Sequence, residues 1–165
     1  MQARMLSNLK MQYRNERLER TNAKMSDLTL AQANAIVTGA LIKARAWGYK
    51  PMAVAVLDAA GNLKVFANED GASMFRFEIA RAKAWGSVGM GVSSRVLAER
   101  AKENPSFFIS LASTAGGRFL PQTGAVVIRD TDGSLLGAVG ASGGTGDEDE
   151  RICIAGVSEA GLVST

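Results

Sequence analysis

Two cations, Arg76 and Lys83, stand seven residues apart in the run MFRFEIARAKAWGSVGM. On a helix that spacing places both on one flank, two turns apart, with Glu78 and Trp85 on the other. Such a pair can receive a carboxylate-bearing ligand, the guanidinium as a fork and the ammonium as a point charge. Arg118 lies beside Gly116, Gly117 and Phe119, in a stretch able to bring it to the same anion. Phe75, Phe119 and Trp85 would supply apolar contact. The same groups support a second chemistry, a metal-free lyase or isomerase acting on an aromatic or unsaturated carboxylic acid. There Lys83 would be an anion anchor or a base of depressed pKa, and Glu78 or Asp58 a proton carrier. A third reading is a subunit whose task is assembly alone.

The chain has no histidine. That excludes, within one chain, a Ser/His/Asp triad, a Cys/His pair, histidine-ligated zinc and a histidine general base. The single cysteine, Cys153, excludes a four-cysteine metal centre and an internal disulfide, and no metal site is expected. Tyr49, Met52 and Cys153 are the phenolic or soft groups that could face a haem iron, and sequence context singles out none of them. Asp58 and Asn62 flank a tight turn, where short polar side chains bond nearby backbone, and Asn62 is also a candidate ligand contact. Gly143 and Gly144 are further candidates. The run GGTGDEDE that they open lacks the Lys-Ser/Thr of a phosphate loop, and its four carboxylates would repel phosphate, so it reads as a glycine turn before helix-capping acids.

The elements that must position these groups follow from local signals. Thr29-Leu30-Ala31-Gln32 has the capping-box form and predicts a helix over residues 30–47, with Ala33, Ile36, Val37, Ala40, Leu41 and Ala44 on one face. Ser73 is expected to cap a second helix over 74–88, with an apolar stripe of Phe75, Ile79, Ala82 and Gly86. A third helix should run from Ser93 or Ser94 to Glu103, a short one from Asn104-Pro105 to about Leu111, and a last one over 148–160. Strands are expected at 52–58, 63–68, 125–129 and 135–141, with 115–122 a loop or short edge strand. AVAVLDAAGNL at 53–63 aligns without gaps on AVVIRDTDGSL at 125–135, which predicts two hairpins of one sheet, Asp132-Gly133 supplying positive φ in the second turn. Hairpins with helices grouped between them indicate an α+β fold with an antiparallel sheet.

At 165 residues the chain suits one domain that needs no disulfide staples. The first 24 residues hold six Lys/Arg against two Glu, leaving 13 basic and 14 acidic residues in the rest. The expected organisation is therefore a basic N-terminal extension at 1–26 and a near-neutral domain at 27–165. A neutral body lacks the basic face that nucleic acid requires. The apolar runs are too short for a membrane span, and the extension lacks the continuous apolar segment of a secretory signal. A cytoplasmic location is the expectation, since one cysteine gives no sign of an oxidising compartment.

Residues 28–162 resemble the GlcG/HbpS-like family, also met as the C-terminal domain of PduO-type proteins. The resemblance is carried in order by LTLAQANAIVTGALIKARAWG, PMAVAVLDAAGNLKVFANEDGA, EIARAKAW and TGAVVIRDTDGSLLGAVGASGGTGDEDERICIAGV. It implies an antiparallel five-stranded sheet with helices packed on its faces, in a profilin-like or sensor-domain-like arrangement, assembling into dimers or larger homo-oligomers. Some members bind haem or act with cobalamin metabolism; others accompany the catabolism of small acids or aromatics. The family often has histidine in the turn that reads Ala60-Gly61-Asn62-Leu63 here, so haem would have to bind without a histidine ligand. Lys83 falls on the family's lysine, and Gly143-Gly144 and Asp149-Glu150 match its C-terminal pattern. The reading that results is an oligomeric domain binding a small molecule, a tetrapyrrole or a small organic or aromatic acid, with the lyase or isomerase as the alternative.

Overall fold

The computed structural model describes Met11 and residues 27–165, so the expected extension at 1–26 otherwise lies outside the described residues. Two turns of identical design organise the sheet. The Asp58 N–H donates to Asn62 O and the Gly61 N–H to Asp58 O; Asp130, Ser134 and Gly133 repeat the pattern. Each turn carries one glycine at positive φ, Gly61 at 79° and Gly133 at 88°. Asp132, expected to share positive φ with Gly133, keeps φ negative because a three-residue connection needs only one left-handed position, with the extra residue absorbed as a bulge. These turns join β1 (Ala53–Asp58) to β2 (Leu63–Asn68) and β3 (Ala125–Arg129) to β4 (Leu135–Ser142).

The sheet is antiparallel throughout, in the order β2-β1-β4-β3-β5. Its fifth strand is β5 (Val163–Ser164), and residues 117–122 form a loop without strand pairing. The two-residue β5 was not expected, being too short for any alternation to register; it is held by reciprocal bonds between Val127 and Thr165. The central strands are apolar on both sides, as strands covered by helices on both faces must be.

On one face lie α1 (Leu30–Ala46) and α5 (Gly146–Glu159), over Val54, Val56, Val126, Ile128, Val139 and Ala141. The capping box expected at Thr29 and Gln32 is present. The same device opens α5 at Thr145 and Glu148, two residues earlier than expected. The two helices cross where Gly156 lies against Ile36, so closely that a Cβ there would be 2.4 Å from the Ile36 carbonyl oxygen.

The other face carries α2 (Arg76–Met90), followed by α3 (Ser94–Glu103) and α4 (Pro105–Thr114). Ser73 does not cap α2; its carbonyl accepts the Arg76 N–H, and Phe75 takes the N-cap position without a side-chain bond. The buried residues of α2 are Ala80, Lys83, Ala84, Gly86, Ser87 and Val88; of the expected stripe only Gly86 is among them, and Phe75, Ile79 and Ala82 are not, because the helix is turned to put Ala80, Lys83, Ala84 and Ser87 on the sheet. The rotation follows from the sheet beneath, where Ala55, Gly140 and Ala125 form one row of small residues. A Cβ on Gly140 would sit 2.3 Å from the Ala80 carbonyl oxygen and 3.1 Å from the Ala84 nitrogen. Gly140→Val should therefore lift α2 and cost about 1–3 kcal/mol or more, read as a lower denaturant midpoint at unchanged m. An unchanged midpoint would contradict this close approach.

Candidate functional site

Lys83 sits at the centre of the buried face of α2. Its Nζ donates to Asp149 Oδ2 at 2.8 Å and to the Ala141 carbonyl at 3.2 Å, with both side chains almost fully enclosed. Asp149 lies in the first turn of α5, so the pair joins helices from opposite faces at the sheet's end. Gly124 makes the room, since a Cβ there would lie 2.6 Å from Nζ. The other Asp149 oxygen accepts the Gly144 N–H at 3.0 Å, and Arg76 donates to Ser142 Oγ at 3.2 Å beside it. Burial pushes the Asp149 carboxyl above its ordinary 3.8, with Lys83, the Gly144 N–H and Arg76 opposing the rise. The expected spacing of Arg76 and Lys83 is right, but the flank they share faces the sheet. Lys83 is committed to Asp149 and does not stand open to a ligand as expected.

Every carboxylate of the acidic run is partnered, two of them by one arginine. Glu148 closes the cap of α5, Asp149 meets Lys83, and Asp147 and Glu150 both meet Arg95 on α3. The other expected site residues scatter. Asp58 accepts from the Ala60 and Asn62 N–H groups and from Asn62 Nδ2, while Glu78 is exposed on the far side of α2 from Lys83. The three groups of the lyase reading therefore do not converge. Phe119 is a core residue packed with Leu97, Phe108 and Ala115, so it offers no ligand face, and Phe75 is exposed at the start of α2. Gly143 is required by packing, because a Cβ would meet the Pro51 carbonyl and Met52 Sδ at 2.5 Å. Met52 and Cys153 are wholly enclosed, and burial raises the Cys153 thiol well above its usual pKa. The Tyr49 hydroxyl accepts from Arg151.

The structure does bring Asn62 and Arg118 together, in a cavity of about 260 Å³ completed by Leu57, Gly61, Leu63, Arg81 and Trp85. Arg118 lies over the Trp85 ring at 4.8 Å and donates to the Ala115 carbonyl; Arg81 lies over Phe77 at 5.6 Å. Gly61 lets the hairpin turn close on the indole edge, where a Cβ would be 3.1 Å from Trp85 Nε1. Among the described residues Arg81 has one carboxylate within ion-pair reach, Glu78 at 4.0 Å, and Arg118 has none. Leu63 also borders an apolar groove of about 280 Å³ with Phe66, Asn68, Ser73, Met74 and Phe77. A cationic pocket thus continues into an apolar surface. Sequence reading passed over Arg81, although Phe77, Arg81 and Trp85 recur every four residues and so share one side of α2.

The family model described as haem degrading protein HbpS-like matches residues 28–158. The chain belongs to the HbpS-like family. Among solved structures, this HbpS-like chain is similar to PduOC in its complex with heme, at 23% identity over 84% of this chain and 98% of that one, with a TM-score of 0.75. The Klebsiella pneumoniae protein ORFY matches at 22% identity over 81% of this chain and 90% of its own, TM-score 0.73. A double mutant of Streptomyces reticuli HbpS matches at 27% identity over 81% and 86%, TM-score 0.70. The first two are likenesses of fold. No curated protein matches the sequence. The α+β architecture expected from the resemblance is the one observed.

In this HbpS-like domain the Lys83–Asp149 pair has a clear pH signature. Lys83→Met strands a buried carboxylate and should cost about 3–5 kcal/mol at neutral pH. A carboxyl whose folded pKa is raised favours the native state at low pH, and that contribution is lost as pH rises from the unfolded value through the folded one. Removing Lys83 raises the Asp149 pKa further, so the variant's deficit should be smallest below 3.8 and grow with pH above it. Urea unfolding of both proteins across that range checks this; a pH-independent deficit would contradict it.

Proposed function

We propose that this domain binds a flat, apolar small molecule carrying carboxylates, a tetrapyrrole of the haem class before any other. The observation that carries this reading is the meeting at Leu63 of the Arg81/Arg118 pocket with the Leu63, Phe66, Met74 and Phe77 groove. Such a surface matches an apolar macrocycle that bears anionic arms at one edge. Membership of a family described as haem degrading, and the likeness to a heme complex, support it. The residues fit the macrocycle and its carboxylates rather than its iron. The chain has no histidine, Met52 and Cys153 are enclosed, and Tyr49 is engaged by Arg151. The iron chemistry would belong to the haem, and the protein would hold its rim and exclude water from one side.

A small aromatic acid is the second reading, favoured by the pocket volume of about 260 Å³, just below the range of drug-sized ligand sites. Assembly into dimers or larger homo-oligomers is supported by the exposed apolar side chains of Met74, Phe75, Phe107 and Ile109. Among the described residues no helix is long and apolar enough to cross a membrane. A cytoplasmic setting agrees with Cys153 being a buried free thiol.

Titration of the protein with haem, followed by the Soret band, should give saturable binding with one haem per chain or per shared site. Its spectrum should lack the features of histidine-ligated iron. Absence of saturable binding would overturn the tetrapyrrole reading.

A further inference from the structure

We propose that Arg81 and Arg118 form a carboxylate clamp over Trp85, which makes a free carboxylate the feature the site requires of its ligand. This inference rests on the reading of the pocket as the ligand site and names the end of the ligand that enters it. Two guanidinium groups from different elements, α2 and the loop at 117–122, line one small cavity. Among the described residues Arg81 has one carboxylate within ion-pair reach, the exposed Glu78 at 4.0 Å, and Arg118 has none. Each rests instead on an aromatic face, Arg81 on Phe77 and Arg118 on Trp85, a weak contact at exposed sites.

A ligand carboxylate would replace these weak contacts with charge-assisted, forked hydrogen bonds that are roughly twice as strong as neutral ones. Among the described residues the exchange breaks no ion pair of Arg118, whose Nε donates to the Ala115 carbonyl three residues before it. Of the remaining lining, Leu57, Leu63 and the Trp85 ring are apolar, while the Asn62 side-chain amide is polar and donates to the Asp58 carboxylate in the turn. Those walls suit a single delocalised negative charge on an apolar body and disfavour a multiply charged phosphate. Arg118 leaving the indole face on binding gives the site its own optical signal.

The sequence has two tryptophans, so Trp47→Phe leaves Trp85 as the reporter. In that background, benzoate should change the Trp85 emission saturably while benzamide of the same shape does not. Haem should likewise bind more tightly than its dimethyl ester. Arg118→Gln and Arg81→Gln should each weaken the acids by about tenfold or more, the scale of a lost charged hydrogen bond. Arg118→Lys, which keeps the charge without the fork, should recover only part of the affinity. Circular dichroism monitors folding, and Arg118, on an exposed loop, carries the test if Arg81→Gln does not fold. Haem and its ester binding equally, with both arginine variants unaffected, would overturn the clamp and leave the tetrapyrrole reading standing. Arginine-dependent binding of benzoate without any binding of haem would uphold the clamp and overturn the tetrapyrrole. Binding of neither probe overturns both.

Discussion

The ion pair between Lys83 and Asp149 is the constraint on which the rest of the structure turns. It lies at the one end of the sheet where Gly124 and Ala141 meet, and it links α2 on one face to α5 on the other. Desolvating both charges consumes most of what their attraction returns, so such a pair adds little net stability over a well-packed apolar equivalent. What it does is penalise every other arrangement of the two helix layers, since a slipped α2 or α5 would leave a buried charge without its partner. The Gly144 N–H on the second Asp149 oxygen extends the same penalty to the glycine turn.

The orientation of α2 then decides which side chains line the proposed ligand pocket. Residues two before and two after Lys83 are turned about 200° from it on a helix of 3.6 residues per turn. Those residues are Arg81 and Trp85, which is why they line a cavity with Leu57 and the first hairpin turn while Lys83 reaches Asp149 at the sheet's other end. The row of Ala55, Gly140 and Ala125 lets α2 settle close enough for the pair to form. Arg118 arrives from the other side because Phe119, its neighbour, is anchored among Leu97, Phe108 and Ala115. The residue expected to touch ligand thus serves by fixing the loop that presents one.

The hairpins, the first capping box and the grouping of helices were legible because they depend on local chemistry. An Asp at the first position of a turn, a glycine at its left-handed position and a hydroxyl three residues before Gln each leave a mark within a few residues. The face of α2 was not legible. A lysine at the centre of a buried column reads as polar in any periodicity, and only its partner 66 residues away makes that position possible. Apolar periodicity therefore points to Phe75 and Ile79, while the helix buries Ala80, Lys83, Ala84 and Ser87 on the sheet. Strand β5 escaped notice because two residues have no period. Arg81 is marked in the sequence only by its four-residue spacing from Phe77 and Trp85, a cation in register with aromatics rather than with another cation.

The Lys83–Asp149 pair is architectural, and the proposed ligand contacts, Arg81 and Arg118, lie apart from it. The most direct measurement is a haem titration of the double variant Lys83→Met, Asp149→Leu, with its fold followed by circular dichroism. Replacing both charges leaves none unpaired, so the protein should fold and keep its haem affinity within about twofold, as for sites that act independently. A folded double variant that no longer binds haem would contradict the account and return Lys83 to the ligand site.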